Sequence, residues 1–383
     1  MNIVKKAGCV LVNLREKKVA LVLRRGDYSF PKGHLEEMET IKECAKRETI
    51  EETGHDIEII GDEIYVTKYK STAGEDVENH FFIGIDLGIT NKKIAEKDKE
   101  VTEWFTIDEI QNKLTYNNLK EVWSKVKGKI EKIIKKIQLD ILVSKQDKYY
   151  YSYIKLKDES KIPTNVYYIE DLFMDNEAVN LNNHVVYFLC NSSLVHKVIN
   201  KYKNINCYFI NQKFFEKEYS KLDVQQLLRK NSIYTPEIHT FDGKEKINYP
   251  IFCKENSHAG INLVAYSENT LVKFFSKFDI SDFYCEEIIK DGKESKLYYV
   301  NESIYDNSKI IKNKGMNELF KNISKILKLE SFSADIICTE KENVVLDINP
   351  NSGFYGSNIA RKNFIKYIVK CSEKIINNKI LKS

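Results

Sequence analysis

Hydrophobic and polar positions follow two different periods along this chain. In the first hundred residues the apolar positions fall in short blocks, GCVLVN (8–13), VALVLRR (19–25), ENHFFIGIDLG (78–88) and VTEWF (101–105), which predict strands. The turn LREKK joins the first two. Between these blocks the period changes to that of a helix. Thr40 followed by Glu43 forms a capping box, and Gly54 supplies the stop. At about 100° per residue, Ile41, Cys44 and Ala45 make one stripe, and Glu48, Glu51 and Glu52 extend it. A second helical pattern, EVWSKVKGKIEKIIKKIQ (121–138), carries Val122, Val126, Ile130, Ile133, Ile134 and Ile137 under a lysine-rich face. It predicts a helix that closes the first domain, with a calmodulin-like or membrane-surface role as the alternative.

Acids on a stripe that begins apolar need an explanation. Three like charges at i, i+3 and i+4 repel, and they lie near the helix end that disfavours anions. A hard divalent cation removes the conflict, because Mg²⁺ accepts carboxylates, keeps several waters and recruits substrate phosphates. The competing explanation is a solvated acidic face. Arg47 points off the stripe toward Glu39, and Gly33 permits a tight bend in the loop before the helix.

Gly33, Glu39, Arg47, Glu48, Glu51, Glu52 and Gly54 resemble the Nudix box at every polar and glycine position. Thr49 and His55 stand where that family favours aliphatic residues. The resemblance implies that Glu48, Glu51 and Glu52 bind Mg²⁺ or Mn²⁺, that the Gly33 carbonyl adds a ligand, and that Glu39 and Arg47 shape the loop. The implied reaction is attack of water on a phosphorus of a nucleoside diphosphate linked to another group, with Glu48 the first choice of base. Phe30-Pro31-Lys32-Gly33 resembles the branch that hydrolyses diadenosine polyphosphates or damaged nucleoside triphosphates. Glu100 and Glu103 are candidates for a further glutamate, with solvated strand-edge residues as the alternative. For Tyr65, Tyr69 and His80, base or phosphate contact competes with a structural role.

Composition narrows the class. A chain of 383 residues with 42% apolar and 30% charged residues suits a soluble protein of two or three domains. A net charge of +4, with lysine spread throughout, marks out no nucleic-acid surface. No apolar run approaches a membrane span, and the amino terminus lacks a signal-peptide layout, so a cytoplasmic location is expected. The eight cysteines stand singly among apolar residues and read as core filler, without disulfides.

Beyond about residue 139 strands and helices alternate: HVVYFLC, SLVHKVINKYK and INCYFIN predict a small α/β layer. The later strands YPIFCKE, FYCEEII, SKLYYVN, FSADIIC and NVVLDIN each carry polar residues that packing does not need. In NVVLDIN, Asp347 and Asn349 share one face. A hairpin centred on Lys341 sets Asp335 across from Asp347, a like-charge pair that again calls for a metal, with an exposed hairpin as the alternative. Lys254 ends an apolar strand and calls for an anion, or snorkels.

These pieces resemble the ATP-grasp superfamily of D-alanine:D-alanine ligase and the ribosomal-protein glutamate ligases over about residues 140–383. The resemblance implies that Asp335, Asp347 and Asn349 hold Mg²⁺ and that Lys221 and Lys254 hold ATP phosphates. Glu286, Glu287, Ile288 and Ile289 would form the hinge at adenine and ribose. Lys296 replaces a common arginine, Ser333-Ala334 precedes the first aspartate, and Arg361 or Lys362 is the expected compensation. ENSHAGIN is poorer in glycine than the usual phosphate-covering loop, and KLYYVN also resembles inositol-phosphate kinases.

The expected fold is therefore multidomain α/β and α+β. A Nudix α/β/α sandwich (1–137) precedes a pre-ATP-grasp α/β layer (138–212) and an ATP-grasp fold (213–383). The expected function is Mg²⁺-dependent hydrolysis coupled in one chain to ATP-dependent carboxylate–amine ligation through an acyl phosphate. Alternatives are a sensor role for one half, or a small-molecule kinase in the carboxyl-terminal half. Partners would be a nucleotide, a small carboxylate and an amine; the oligomeric state is left open.

Overall fold

The computed structural model describes residues 3–90, 100–145, 152–173, 179–190, 193–239, 247–257 and 260–377. It is a mixed α/β multidomain chain, with four sheets among the described residues. The first has seven strands. Asp27–Ser29, Lys18–Arg24, Val4–Asn13, Asp76–Ile89 and His55–Lys70 lie in that order, with Lys32–His34 paired to Val4–Asn13 and Val101–Thr106 to Lys18–Arg24. Val4–Asn13 leaves Lys18–Arg24 after Val12 and Asn13 and pairs with Lys32–His34 at its other end. The sheet therefore opens along one edge, and that opening becomes a cavity.

Alternation along the strands covers both faces. Ala7, Cys9, Leu11, Ile57, Ile59 and Phe82 pack under the helix Ile41–Thr53. Val10, Val12, Phe81 and Ile83 pack under the helix Asn117–Lys136, whose Val122, Trp123, Val126, Ile130, Ile133 and Ile134 are buried. That helix closes a sandwich, and its apolar face is used up in doing so. No helix among the described residues is long and apolar enough to cross a membrane.

The same core runs on into the second sheet, four parallel strands in the order Tyr208–Phe209, Val185–Phe188, Leu139–Val143, Thr164–Tyr168. The third sheet is antiparallel: Ile238–His239, Phe283–Glu287, Ile251–Glu255, Asn262–Ala265. The fourth is Ser303–Tyr305, Lys293–Val300, Ser331–Cys338, Asn343–Asn349, with Phe320, Ile323 and Leu327 of the helix Lys314–Leu327 packed in the core with Phe332 and Ile336. The last helix, Asn358–Asn377, returns to the first sheet. There Glu373 accepts from the Gly61 N–H at 2.7 Å and Lys366 pairs with Asp56 at 2.6 Å.

Two expectations need correction. Cys253 and Cys285 face each other directly across paired strands and form a disulfide. Their 32-residue separation hid a contact that only the register creates. The other six cysteines are thiols. Arg361 is engaged away from the Asp335–Asp347 hairpin. It is 1% exposed and fully engaged, donating to Glu159 at 2.5 and 2.6 Å, to the Phe354 carbonyl and to Asn358. Lys362 lines a different cleft, with Asp56 and Lys161.

Candidate functional sites

The helix Ile41–Thr53 begins and ends as its sequence dictates, with a complete capping box at Thr40 and Gly54 left-handed at φ 71°. Its buried stripe differs from expectation: Cys44, Ala45, Thr49, Ile50 and Thr53 face the core. Thr49 and Thr53 satisfy their hydroxyls on the carbonyls four residues back, so polar residues complete an apolar face. The glutamates are thereby rotated to the edge of the buried face, Glu48 and Glu52 half-buried and Glu51 exposed. They border a cavity of about 690 Å³ at the sheet's open edge, with Lys6, Arg24, Lys32, Gly33, His34 and Glu100.

Arg47 organises the rim. It makes two bonds of 2.9 Å to Glu39, one of 2.7 Å to Glu48, one of 3.3 Å to Glu51 and one of 2.9 Å to the His34 carbonyl. This fork holds the Glu39 carboxyl below its ordinary range. Gly33 lets the loop backbone lie against the Glu48 carboxylate, since a Cβ there would meet Glu48 Oε2 at 2.0 Å and displace it. Glu52 accepts from the Lys32 N–H at 2.9 Å. Burial, reinforced by Glu100, pushes Glu52 up to about 7, and burial also raises Glu48. Burial depresses Lys32 against the opposing pull of Glu52. Carboxylates whose charged forms are disfavoured so close together fit a divalent cation. Among the described residues no three carboxylate, histidine or cysteine groups already converge as a cage. Arg47 and the Lys32 N–H hold the acids apart.

At the other end of the chain the register sets Asp335 opposite Asp347, as the hairpin arithmetic requires. A bulge follows immediately and leaves Leu346 unpaired in the ladder. Its freed carbonyl accepts from Gln225 at 2.8 Å and from Lys254 at 3.1 Å. Three acids here each have a lysine: Lys221 pairs with Asp347 at 3.3 Å, Lys296 with Asp335 at 3.1 Å and Lys254 with Glu286 at 2.6 Å. Burial of Lys254 is thus balanced by an internal carboxylate. Burial raises Glu286 against the pull of Lys254, and Glu286 Oε1 has no partner. Asn349 accepts from the Asn351 N–H at 2.9 Å, while Glu287 is exposed and Ile288 and Ile289 follow the strand in a loop. His258 and Ala259 of ENSHAGIN lie outside the described residues.

The NUDIX domain matches residues 4–126. Residues 4–126 are a Nudix domain. A NUDIX hydrolase from Nitrosomonas europaea is similar at 22% identity, covering 33% of this chain and 90% of its own, with a TM-score of 0.30. The rest of the chain is similar to ATP-grasp ligases. D-alanine–D-alanine ligase from Bacillus anthracis, crystallised with ATP, shares 13% identity over 63% of this chain and 99% of its own, TM-score 0.47. A RimK domain ATP-grasp protein from Sphaerobacter thermophilus shares 11% over 61% and 99%, TM-score 0.48.

Within the Nudix domain the structure separates the two downstream glutamates. Glu100 lines the cavity and pairs with Arg24 at 3.3 Å, whereas Glu103 accepts from the Tyr28 hydroxyl at 2.9 Å. Tyr65 donates to Glu121, and His80 pairs with Glu63, so both have structural partners. His55 pairs with the buried Asp86 at 2.8 Å, which explains an imidazole at an aliphatic position of the box. Sequence reasoning missed the basic side chains of Lys6, Arg24 and Lys32 and the imidazole of His34. For Lys32 and His34 the signal was present, since they flank Gly33 on a three-residue strand. Lys6 and Arg24 are brought in from other strands.

Proposed function

We propose that the chain carries two catalysts. The Nudix domain hydrolyses a phosphoanhydride bond in a nucleoside diphosphate-linked substrate of the diadenosine polyphosphate or nucleoside triphosphate type. The carboxyl-terminal part joins a carboxylate to an amine at the expense of ATP. The division into 1–137, 138–212 and 213–383 belongs to the same proposal.

The observation that carries the first activity is the crowding of Glu48, Glu52 and Glu100 in one cavity with four basic residues on its walls. Glu48, Glu51 and Glu52, with the Gly33 carbonyl, would hold Mg²⁺ or Mn²⁺. Such an ion supplies charge neutralisation at phosphate and a more acidic bound water. The chain's own residues do the rest. Lys6, Arg24, Lys32 and His34 draw the phosphates to the acids. Arg47 and Glu39 fix the loop so that the Gly33 backbone lies against Glu48. One carboxylate removes the water's proton, and Glu48, against Gly33 at the centre of the cluster, is the residue assigned to it.

For the second activity, the support is the row of opposite charges from Lys296 through Asp335 to Asp347, with Lys221 beside it. Asp335, Asp347 and Asn349 would hold Mg²⁺, and Lys221 and Lys254 would turn from their internal acids to ATP phosphates. The substrate carboxylate attacks the γ phosphorus, ADP leaves, and the amine displaces phosphate from the acyl phosphate.

The test is product analysis with Mg²⁺ on diadenosine polyphosphates, nucleoside triphosphates, and ATP with pooled carboxylates and amines. Nucleotide cleavage should vanish in Glu51→Gln, and acceptor-dependent ADP release in Asp347→Asn. Turnover that neither substitution alters rejects the proposal.

A further inference from the structure

A row of polar side chains crosses four strands of the Nudix sheet. Thr67 lies directly opposite Asn79, Asn79 opposite Lys6, and Lys6 opposite His34, so all four project from one face. At about 5 Å per strand the row is about 15 Å long. Its outer members, Lys6 and His34, line the hydrolase cavity. Its inner members are sealed. Asn79 is 1% exposed and Thr67 4% exposed, yet neither end of the Asn79 amide nor the Thr67 hydroxyl has a hydrogen-bond partner.

A sheet strand does not need this. A buried amide without partners destabilises the fold, and a leucine at the same place would pack without that penalty. Tyr65 and Phe81, directly opposite each other, flank the row on the same face, and Tyr69 flanks it on the other side. The pattern is charge at the open end, an unsatisfied donor and acceptor at the closed end, and aromatic rings alongside. Among the described residues the Lys6 ammonium has no hydrogen-bond or ion-pair partner, and it stands in the row between the cavity and the amide.

We propose that Asn79, with Thr67 beside it, reads the base of the hydrolase substrate, and that the base is adenine. This rests on the hydrolase function proposed above. An amide pairs with N6 and N7 of adenine through one donor and one acceptor, whereas N7 and O6 on the same edge of guanine are both acceptors. Phosphates held at Lys6, His34 and the glutamates leave the nucleoside to run inward along the row. Lys6 swings aside to admit it.

The experiment uses the full chain with Mg²⁺ and three substrates: diadenosine tetraphosphate, diguanosine tetraphosphate and inorganic tripolyphosphate. Asn79→Leu should raise KM for the adenine compound about tenfold or more, abolish its preference over the guanine compound, and leave tripolyphosphate hydrolysis unchanged. Its Tm should equal or exceed that of the wild type, because an unpaired amide has been removed. Thr67→Val, a smaller change, should raise the same KM less and serves if the leucine variant does not fold. Unchanged KM values show that the amide holds buried solvent only and overturn the proposal. Equal losses on all three substrates with a lowered Tm show a structural role and also overturn it. If no substrate is cleaved in a Glu51-dependent way, the hydrolase function itself fails and the base assignment falls with it. Glu51-dependent cleavage without adenine selectivity removes the base assignment alone.

Discussion

The two acid clusters of this chain are balanced in opposite ways. In the carboxyl-terminal cluster three acids have a lysine each, Asp347 with Lys221, Asp335 with Lys296 and Glu286 with Lys254. In the Nudix domain one arginine is shared among Glu39, Glu48 and Glu51, and Glu52 has only a backbone N–H and Lys32 nearby. The first arrangement is complete without ligand and must be opened by a polyphosphate that competes for the lysines. In the second, burial outweighs the nearby positive charge and raises the proton affinity of Glu52 and Glu48.

The largest expected effect follows from that difference. Glu51→Gln should reduce nucleotide hydrolysis by about 100-fold or more while acceptor-dependent ADP release persists, and Asp347→Asn should do the reverse. Steady-state rates of both products from each variant check it, and loss of both activities from either substitution would contradict two separate sites. A sharper variant is Gly33→Ala. Its Cβ meets the end of a flexible glutamate, so Glu48 can move aside at little cost in stability. Hydrolysis should fall by about 10- to 100-fold with Tm almost unchanged. A large drop in Tm would show that the contact is a matter of packing.

What the sequence revealed depended on distance along the chain. The cap at Thr40, the stop at Gly54 and the Asp335–Asp347 pair are local, set within one helix or one hairpin, and were legible. The strand His55–Lys70 was not, because its pairing shifts register twice and Gly61 and charged residues interrupt its period. The buried stripe of the box helix was misread because Thr49 and Thr53 hide their hydroxyls against the helix backbone. Lys6, Asn79, Thr67 and His34 come from four strands and form a row only once the sheet is paired. The Cys253–Cys285 bond and the pairing of buried Arg361 with the exposed Glu159 are equally non-local.

A middle-sized effect isolates the shared arginine. Lysine at position 47 keeps the charge but cannot reach Glu39 twice while also bonding Glu48 and the His34 carbonyl. Arg47→Lys should lower hydrolysis by about tenfold and weaken Mg²⁺ dependence of the rate, with ADP release untouched. An unchanged Mg²⁺ titration would assign the fork to stability alone.

The smallest expected effect is on stability against pH in chelator-treated protein, where the two kinds of balance give opposite slopes. Glu39 has a folded pKa below its unfolded value, so it contributes stability above about pH 4.5 that is lost as pH falls through the folded pKa. Glu52 is the reverse case. Its folded form keeps a proton up to about 7, so between about pH 4.5 and 7 the folded state binds more protons than the unfolded state and stability declines as pH rises. Glu52→Gln should therefore raise Tm at pH 8 relative to wild type and leave it nearly unchanged at pH 4.5, by at most a few kcal/mol in stability. Added Mg²⁺ should stabilise wild type more than the variant at pH 8, because the cation removes the same penalty that the amide removes. Parallel melting curves across pH for the two proteins would mean that Glu52 is ionised at no cost, and the contrast between the two acid clusters would then rest on geometry alone.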